Sequence, residues 1–334
     1  MGAARKKINI LKNVLNGSIK VCEFGLTNCC SCRCSFCSIW KQKPKVFVDY
    51  NKACKAIDKL AEFGVSHITL TGGEPLLHPQ IVKIVQYCTK KNIHSAVLNA
   101  DARLVNENNL KLLKNAGLDL ISISVDSHDP KIIEESRKIP NLLVHIDNAV
   151  KKAKRCKLRT MASVVIWEGN HKNLRPLMDK IDSMGFDQIS INYPEISNSK
   201  VYTLGGESVN MDKEDVINSL KYVITLKKEG YKIINITSSL KNIISYLRNP
   251  KKVKYSCYGG YKVFFLDWFF NLYPCMHLAK PIGSLWDVEK KDLKRVKCNS
   301  CNMSWYRDFS VYFHGLKSIK PFYETVNEYF GFKV

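Results

Sequence analysis

Short apolar runs alternate with amphipathic segments through the first part of the chain. In the amphipathic segments apolar residues recur at three- and four-residue steps, as at Ala53, Ile57 and Leu60, which is the period of a helix with one buried face. The runs between them are short and apolar, as buried strands are. The predicted strands cover residues 21–26, 67–71, 94–98, 120–125, 161–166 and 188–192. The predicted helices cover residues 50–63, 80–91, 107–116, 141–156 and 172–184.

Repeated strand–helix units predict a parallel sheet, because parallel neighbours need a long connection between them. Gly64, Gly117 and Gly185 each follow a predicted helix, where a left-handed cap residue is expected. Six units are two fewer than the eight of a closed TIM barrel. We therefore predict an α/β fold, a partial (β/α)6 TIM-like barrel with a small C-terminal cysteine-rich module. Functional residues should lie at the carboxyl ends of the strands.

The pattern changes after Pro194. The following residues are polar and turn-rich, a long helix is predicted for Lys213–Lys228, and a later segment is dense in aromatic residues, glycine and cysteine. The predicted parts are a basic N-terminal helix at 1–19, the partial barrel at 20–210, a helical connector at 211–255, a cysteine-rich module with a β-hairpin at 256–305, and an aromatic segment at 306–334.

The net charge of the chain indicates which classes of partner it can bind. A net charge of +22 is typical of proteins that meet an anionic substrate, nucleic acid, an anionic membrane surface or an acidic redox protein, and also of chains with solvated lysine faces. No long uncharged apolar run occurs, so we expect no transmembrane helix. The N-terminus lacks a signal-peptide pattern. We expect a cytoplasmic protein whose basic N-terminal helix offers a peripheral contact with a membrane.

Five of the thirteen cysteines crowd into one short segment. They are Cys29, Cys30, Cys32, Cys34 and Cys37. Thiols this close along the chain pair poorly with one another but can converge on a metal, which favours a reducing, anaerobic compartment. Only Cys30, Cys34 and Cys37 satisfy the spacing Cys-x3-Cys-x2-Cys. A cubane cluster normally takes four thiolates, so three leave one iron open to a chelating ligand. A zinc site, or a fully ligated cluster that uses Cys29 or Cys32, is the alternative.

This three-cysteine motif, placed directly after the first predicted strand, resembles that of the radical S-adenosylmethionine (SAM) enzymes. The resemblance spans roughly residues 20–195. It implies that Cys30, Cys34 and Cys37 hold a [4Fe–4S] cluster whose open iron binds the amino and carboxylate groups of SAM. In that family the reduced cluster cleaves SAM to methionine and a 5′-deoxyadenosyl radical, which abstracts hydrogen from a substrate. An acidic electron donor such as ferredoxin or flavodoxin is the implied partner.

Further residues match positions that the family uses near SAM. Gly72, Gly73 and Glu74 follow the second strand and resemble the motif that holds the SAM amino group, since glycines permit close backbone approach and a carboxylate accepts from an ammonium. Arg159 has the fork of donors that pairs with a carboxylate such as that of SAM. The remaining matched positions are Phe36 on the adenine side, Asn99, Ser124, Asp126 and Asn170.

A second cysteine set lies in the C-terminal module. Cys257 and Cys275 bracket a predicted β-hairpin, and Cys298 and Cys301 form a Cys-x2-Cys pair. Four converging thiolates suit either zinc or a [4Fe–4S] cluster. Their order resembles the shortened "twitch" form of the SPASM extension of radical SAM enzymes, which implies an auxiliary [4Fe–4S] cluster. The sequence departs from that pattern at Phe270, which stands where a hairpin glycine is usual.

Two classes of function are consistent with these patterns. The first is a radical SAM enzyme acting on a small-molecule, lipid or peptide substrate. A basic surface favours an anionic, lipid or cofactor-precursor substrate, and 29 residues before Cys30 are too few for the leader-binding domain that often precedes peptide-modifying maturases. The second is a zinc- or iron–sulfur-bearing RNA-binding protein without catalysis, supported by the charge and the Cys-x2-Cys pair.

Overall fold

A computed structural model describes residues 6, 8, 9, 12, 13, 16–35, 37–99, 101–193, 211–253, 255–298, 301 and 303–314. Phe36 and the polar segment after Pro194 lie outside the described residues. So does most of the predicted aromatic C-terminal segment, as well as much of the predicted N-terminal helix.

One nine-stranded sheet organises the described chain, in the order β6-β5-β4-β3-β2-β1-β7-β8-β9. Strands β1 to β6 are parallel and adjacent in chain order, and the sheet does not close. The predicted partial barrel is therefore confirmed. The strands are β1 Lys20–Gly25, β2 Val65–Thr71, β3 His94–Asn99, β4 Leu120–Ser124, β5 Arg159–Val165, β6 Gln188–Asn192, β7 Val263–Leu266, β8 Asn271–Tyr273 and β9 Gly283–Ser284.

Helices connect the strands, and most of them lie where the periodicity predicts. They are α1 Tyr50–Glu62, α2 Ile81–Lys90, α3 Glu107–Asn115, α4 Pro130–Arg137, α5 Leu142–Arg155, α6 Leu174–Met184, α7 Lys213–Lys228, α8 Thr237–Arg248 and α9 Ser304–His314. Helix α1 shows which local features start, bury and end such a helix. Asp49 caps it by accepting a hydrogen bond from Lys52 N at 2.9 Å, Ala53 and Leu60 are fully buried, and Gly64 ends it at φ +90°.

The C-terminal hairpin extends the same sheet. Strand β7 pairs in parallel with β1 and antiparallel with β8, so the predicted hairpin forms. Phe270 adopts the left-handed φ of +65° in its turn. Asp267 Oδ1 holds the turn by accepting from Phe269 N at 2.9 Å and Asn271 N at 2.8 Å. The Phe270 ring lies 4.9 Å from the ring of Trp286, so packing compensates for the strained backbone.

The described N-terminal residues contact the amino edge of the sheet. Lys6 is fully buried, and its Nζ lies 2.6 Å from Asp119 Oδ2, just before β4. Ile8, two residues on, is largely exposed. No helix among the described residues has both the length and the apolar character needed to cross a membrane.

Candidate active site

The cysteine loop leaves β1 at the carboxyl edge of the sheet and is fastened to the loop after β2. Gly73 N donates to Thr27 O at 2.7 Å, and Glu74 N donates to Cys29 O at 2.8 Å. A Cβ on Gly73 would lie 2.1 Å from Cys29 O, and one on Gly72, where φ is +132°, would lie 2.2 Å from Thr27 O. Both positions therefore require glycine, because any side chain would push the two loops apart.

Two more strand ends hold the same loop. Ser31 Oγ donates to Asp101 Oδ2 at 2.7 Å, which joins the loop to the segment after β3. Ser35 N donates to Ser136 O at 2.9 Å, which joins it to α4 after β4. The cysteine loop is thus positioned by three successive strand–helix connections.

The thiols of Cys30, Cys34 and Cys37 lie close enough for their charges to interact. A hydrogen bond with the Cys32 thiol lowers the pKa of Cys30 and lowers that of Cys34 to about 7, and the Arg137 guanidinium acts in the same direction. Burial raises the pKa of Cys37 to about 12, and the charges of Cys34 and Cys30 add to this. Cys32, which the sequence treats as a bystander, is therefore in direct contact with two of the three motif cysteines.

Arg137 lies beside the motif cysteines and was missed by sequence reasoning. It is buried on α4, its Nη1 lies 3.8 Å from Cys34 Sγ, and its Nε donates to Asp126 Oδ2 at 2.8 Å. Asp126 Oδ1 also accepts from Val165 N at 2.9 Å. Asp126, which was predicted to approach SAM, thus neutralises the charge of the buried Arg137 guanidinium beside the cysteines.

Asn170 and Glu74 also bind their own chain. Asn170 Nδ2 donates to Asp126 O and Val165 O at 2.8 and 2.7 Å, and its Oδ1 accepts from Trp167 N. Glu74 is fully buried, and its carboxylate accepts from Leu76 N and Asp101 N at 3.0 Å each. Both side chains position the loops at the carboxyl edge, which the sequence did not predict.

The other predicted SAM-contacting residues differ in placement. Ser124 ends β4 at the carboxyl edge, paired with Ser163, and Asn99 ends β3 in register with Ile123. Arg159 is the first residue of β5 and pairs with Leu120 at the amino ends of the strands. The prediction that Arg159 reaches SAM is therefore wrong, because it lies at the opposite edge of the sheet from the cysteines.

The donor set fits an iron–sulfur cluster. Three thiols come from one short loop, and a buried guanidinium beside them favours their thiolate forms. Within the described part of the chain no group of three or more His, Cys, Asp or Glu side chains has the geometry of a single-metal site. A cubane differs from such a site because each thiolate binds its own iron atom.

The inner face of the sheet is polar and partly open. Along β5 the exposed and buried positions alternate strictly, with Met161 and Ser163 partly exposed and Ala162 buried between them. Asn192 Nδ2 donates to Ser163 Oγ at 3.1 Å, and Ser304 Oγ donates to Asn192 Oδ1 at 2.8 Å. We call Ser163, Ser190, Asn192 and Ser304 the inner polar wall.

A buried acid lies on the same inner face. Glu23, on β1 seven residues before Cys30, accepts a hydrogen bond from Tyr306 Oη at 2.8 Å, and Tyr306 is fully buried on α9. Burial raises the pKa of Glu23 to about 7. Sequence reasoning missed Glu23, although an acidic residue inside an apolar strand pattern was the available signal.

The thiols of the second cysteine set interact electrostatically with one another. Cys257, Cys275 and Cys301 are buried and Cys298 is partly so. Burial raises the pKa of Cys275 to about 12, and the nearby charges of Cys257 and Cys298 act in the same direction. Burial likewise raises the pKa of Cys301 to about 12, and Cys257 and Cys275 lie within electrostatic reach of it.

Known proteins resemble this chain over the region that carries the first site. The family model of the radical SAM superfamily matches residues 25–183. A GTP 3′,8-cyclase of Aquifex aeolicus is 29% identical over 197 residues, which is 56% of this chain and 60% of that protein. A GTP 3′,8-cyclase of Chlorobaculum tepidum is 30% identical over 123 residues, 36% of this chain and 37% of that protein. The chain thus matches less than two thirds of the length of either relative.

Two solved structures share the fold. SuiB of Streptococcus suis, bound to S-adenosylmethionine, superposes with a TM-score of 0.64 at 14% identity and covers 89% of this chain and 67% of its own. The structure of anSMEcpe with bound AdoMet gives a TM-score of 0.62 at 16% identity, covering 82% of this chain and 80% of its own. This chain therefore contains a domain of the radical SAM enzyme superfamily, formed by residues 25–183.

Proposed function

We propose that this protein binds a [4Fe–4S] cluster through Cys30, Cys34 and Cys37 and uses SAM to abstract hydrogen from a polar substrate. The observation that supports it best is the cysteine loop itself, which three strand–helix connections hold at the carboxyl edge of a parallel sheet. Ligands bind at this edge in parallel α/β folds. When bound, a reduced cluster of this kind supplies the electron that cleaves SAM.

The surrounding residues would orient the reactants. Arg137 would hold positive charge beside the Cys34 thiolate, and Asp126 would keep the guanidinium in place. The backbone of Gly72 and Gly73 would present its polar groups to the SAM amino group, while the buried Glu74 carboxylate fixes the loop. Ser124 remains the predicted contact for the SAM ribose.

We propose that the substrate is polar and binds against the inner polar wall. Hydroxyl and amide groups there can exchange hydrogen bonds with a substrate that carries hydroxyls or amides. Among the described inner-face positions of β4 to β6, Arg159 is the one cationic side chain, whereas a triphosphate is usually recognised by several cations. We therefore expect a substrate without a triphosphate, in contrast to the GTP that the curated relatives are named for.

We propose that Cys257, Cys275, Cys298 and Cys301 hold an auxiliary [4Fe–4S] cluster in a twitch-type module. This proposal is supported by the burial of Cys257, Cys275 and Cys301 and by the electrostatic interactions among the thiols. Reconstituted protein with two such clusters should contain about eight irons per chain. About four irons with one zinc would instead support a zinc site.

Anaerobic SAM cleavage tests the main proposal. Reconstituted, reduced protein should convert SAM to 5′-deoxyadenosine, and Cys34→Ala should abolish this. The matched control is Cys54→Ala, since Cys54 lies on α1 away from both cysteine sets and should leave the rate unchanged. Persistent cleavage in Cys34→Ala would refute the assignment. Salt-dependent RNA binding without SAM cleavage would instead favour the non-catalytic alternative.

A further inference from the structure

The segment that carries the motif cysteines also carries an uncompensated positive charge. From Phe24 to Val48 it contains four cations and no acidic residue. The four cations, all exposed, are Arg33, Lys41, Lys43 and Lys45. Some other exposed cations do have a carboxylate partner, as Lys111 has in Glu107 at 2.9 Å. Within the described residues none of the four forms a salt bridge with a carboxylate.

Trp40 gathers these cations into one patch. The Arg33 guanidinium lies 6.0 Å from the centre of the Trp40 ring and Lys41 Nζ lies 5.1 Å from it, as in cation–π contacts. Lys45 Nζ donates to Trp40 O at 2.8 Å and to Asn28 O at 3.2 Å, which fixes its ammonium beside them. We call Arg33, Trp40, Lys41, Lys43 and Lys45 the Trp40 patch.

The patch adjoins the motif cysteines. Arg33 directly precedes Cys34, and Trp40 follows Cys37 by three residues, so the Cα atoms of Cys37 and Trp40 are at most about 11 Å apart. Like charges collected without acidic partners raise the local positive potential and steer an oppositely charged partner to that point.

We propose that the Trp40 patch is the docking surface for an acidic one-electron donor protein of the flavodoxin type. This inference rests on the proposed function, because that reaction consumes an electron that must enter near the motif cysteines. The donor loses one electron. That electron enters the carbon–sulfur bond of SAM, which breaks to give methionine and the 5′-deoxyadenosyl radical. An acidic protein fits the patch because its carboxylates would pair with the unpaired cations.

Charge reversal tests the docking surface. The test variant is Arg33→Glu with Lys41→Glu, and Lys45 is left intact because its ammonium holds the loop backbone. The matched control is Lys180→Glu with Lys228→Glu, which makes the same change in net charge at exposed positions on α6 and α7. For each holoprotein, 5′-deoxyadenosine formation is measured against the concentration of reduced flavodoxin, and separately with saturating dithionite.

We expect the flavodoxin concentration for half-maximal rate to rise about tenfold in the test variant at low salt, and the difference to shrink at high salt. The control variant and the dithionite rates should stay within twofold of the unmodified protein. An equal rise in the control variant would overturn the proposal, because net charge alone would explain it. An equal loss of activity in the test variant when dithionite replaces flavodoxin would also overturn the proposal, because the substitutions would then act on the cluster site itself.

Direct binding separates this proposal from the proposed function. Calorimetry with oxidised flavodoxin should show about tenfold weaker binding to the test variant, whether or not SAM is cleaved. If the unmodified protein cleaves no SAM with either reductant, the proposed function fails while calorimetry still decides the docking surface. The docking proposal would be refuted by an unchanged flavodoxin affinity in the test variant. It would also be refuted if a single-stranded RNA bound the patch more tightly and displaced flavodoxin.

Discussion

The protonation of Glu23 offers a quantitative test of the interior of the barrel. The residue is 6% exposed, and the hydrogen-bond partner of its carboxyl is the hydroxyl of Tyr306. Burial raises its pKa from 4.5 to about 7. Because one pKa unit corresponds to about 1.4 kcal/mol, the ionised carboxyl lowers the free energy of unfolding by about 3 kcal/mol above pH 7.

The sign follows from proton binding. Below pH 4.5 the group is protonated in both states and has no effect. As pH rises from 4.5 to 7, the folded state holds the proton longer than the unfolded state, so stability falls, and above 7 the loss is constant. About 2 kcal/mol of it develops between pH 5.5 and pH 8. Glu23→Gln keeps the acceptor for Tyr306 but removes the titration. Between pH 5.5 and pH 8 its free energy of unfolding should therefore rise by about 2 kcal/mol relative to that of the unmodified chain.

The assay is urea unfolding of iron-free protein at the two pH values, paired with infrared detection of the protonated carboxyl. The carboxyl band that disappears in Glu23→Gln should titrate with a midpoint near pH 7 in the unmodified protein. Tyr306→Phe should move this midpoint upward, because the hydroxyl hydrogen bond favours the ionised form. A midpoint near 4.5, or a stability difference independent of pH, would refute the burial argument.

Three further perturbations test the loops around the site. Arg137→Gln leaves Asp126 buried without its cation and should lower the free energy of unfolding, measured in urea, by about 3–5 kcal/mol. Adding Asp126→Asn should restore much of this loss. A loss under about 1 kcal/mol would contradict a buried pair. Gly73→Ala should reduce the iron retained after reconstitution several-fold, because its Cβ would lie 2.1 Å from Cys29 O. Gly230→Ala strains its own backbone at φ +106° but has nothing within 4 Å, so it should retain the iron. Phe270→Gly should lower stability by about 2–4 kcal/mol, since lost packing of about 3–5 kcal/mol exceeds about 1 kcal/mol of relieved backbone strain; a gain in thermal stability would show that the strain dominates.

The periodic parts of the fold were predictable because they repeat one physical pattern. The helix from Tyr50 and the strand from Gln188 lie where the apolar periodicity put them. Helix α4 escaped prediction because eight residues give too little periodicity, although Asp129 before Pro130 was a capping signal. Arg137 was missed with it, so the main cation near the cysteines remained unseen.

Edge and turn geometry were harder to predict because they depend on tertiary contacts. Arg159 was assigned near the cysteines from its closeness to a strand, but a residue at the start of a parallel strand lies at the amino edge. At Phe270 the sequence left the turn open, and the Asp267 hydrogen bonds and the Trp286 contact complete it. Cys32 looked redundant by spacing, yet the fold of the loop brings its thiol between two motif cysteines.

The pairing of β7 with β1 has a consequence for how the chain folds during synthesis. Val21 emerges well before its partner Val263, because the two residues are far apart along the chain. Until then β1 is an exposed edge strand, and exposed edge strands can pair with strands of other chains. Contacts this distant in sequence form slowly, so the nascent barrel should be most prone to aggregation just before the hairpin leaves the ribosome. Truncation ahead of Val263 would make that vulnerable state permanent.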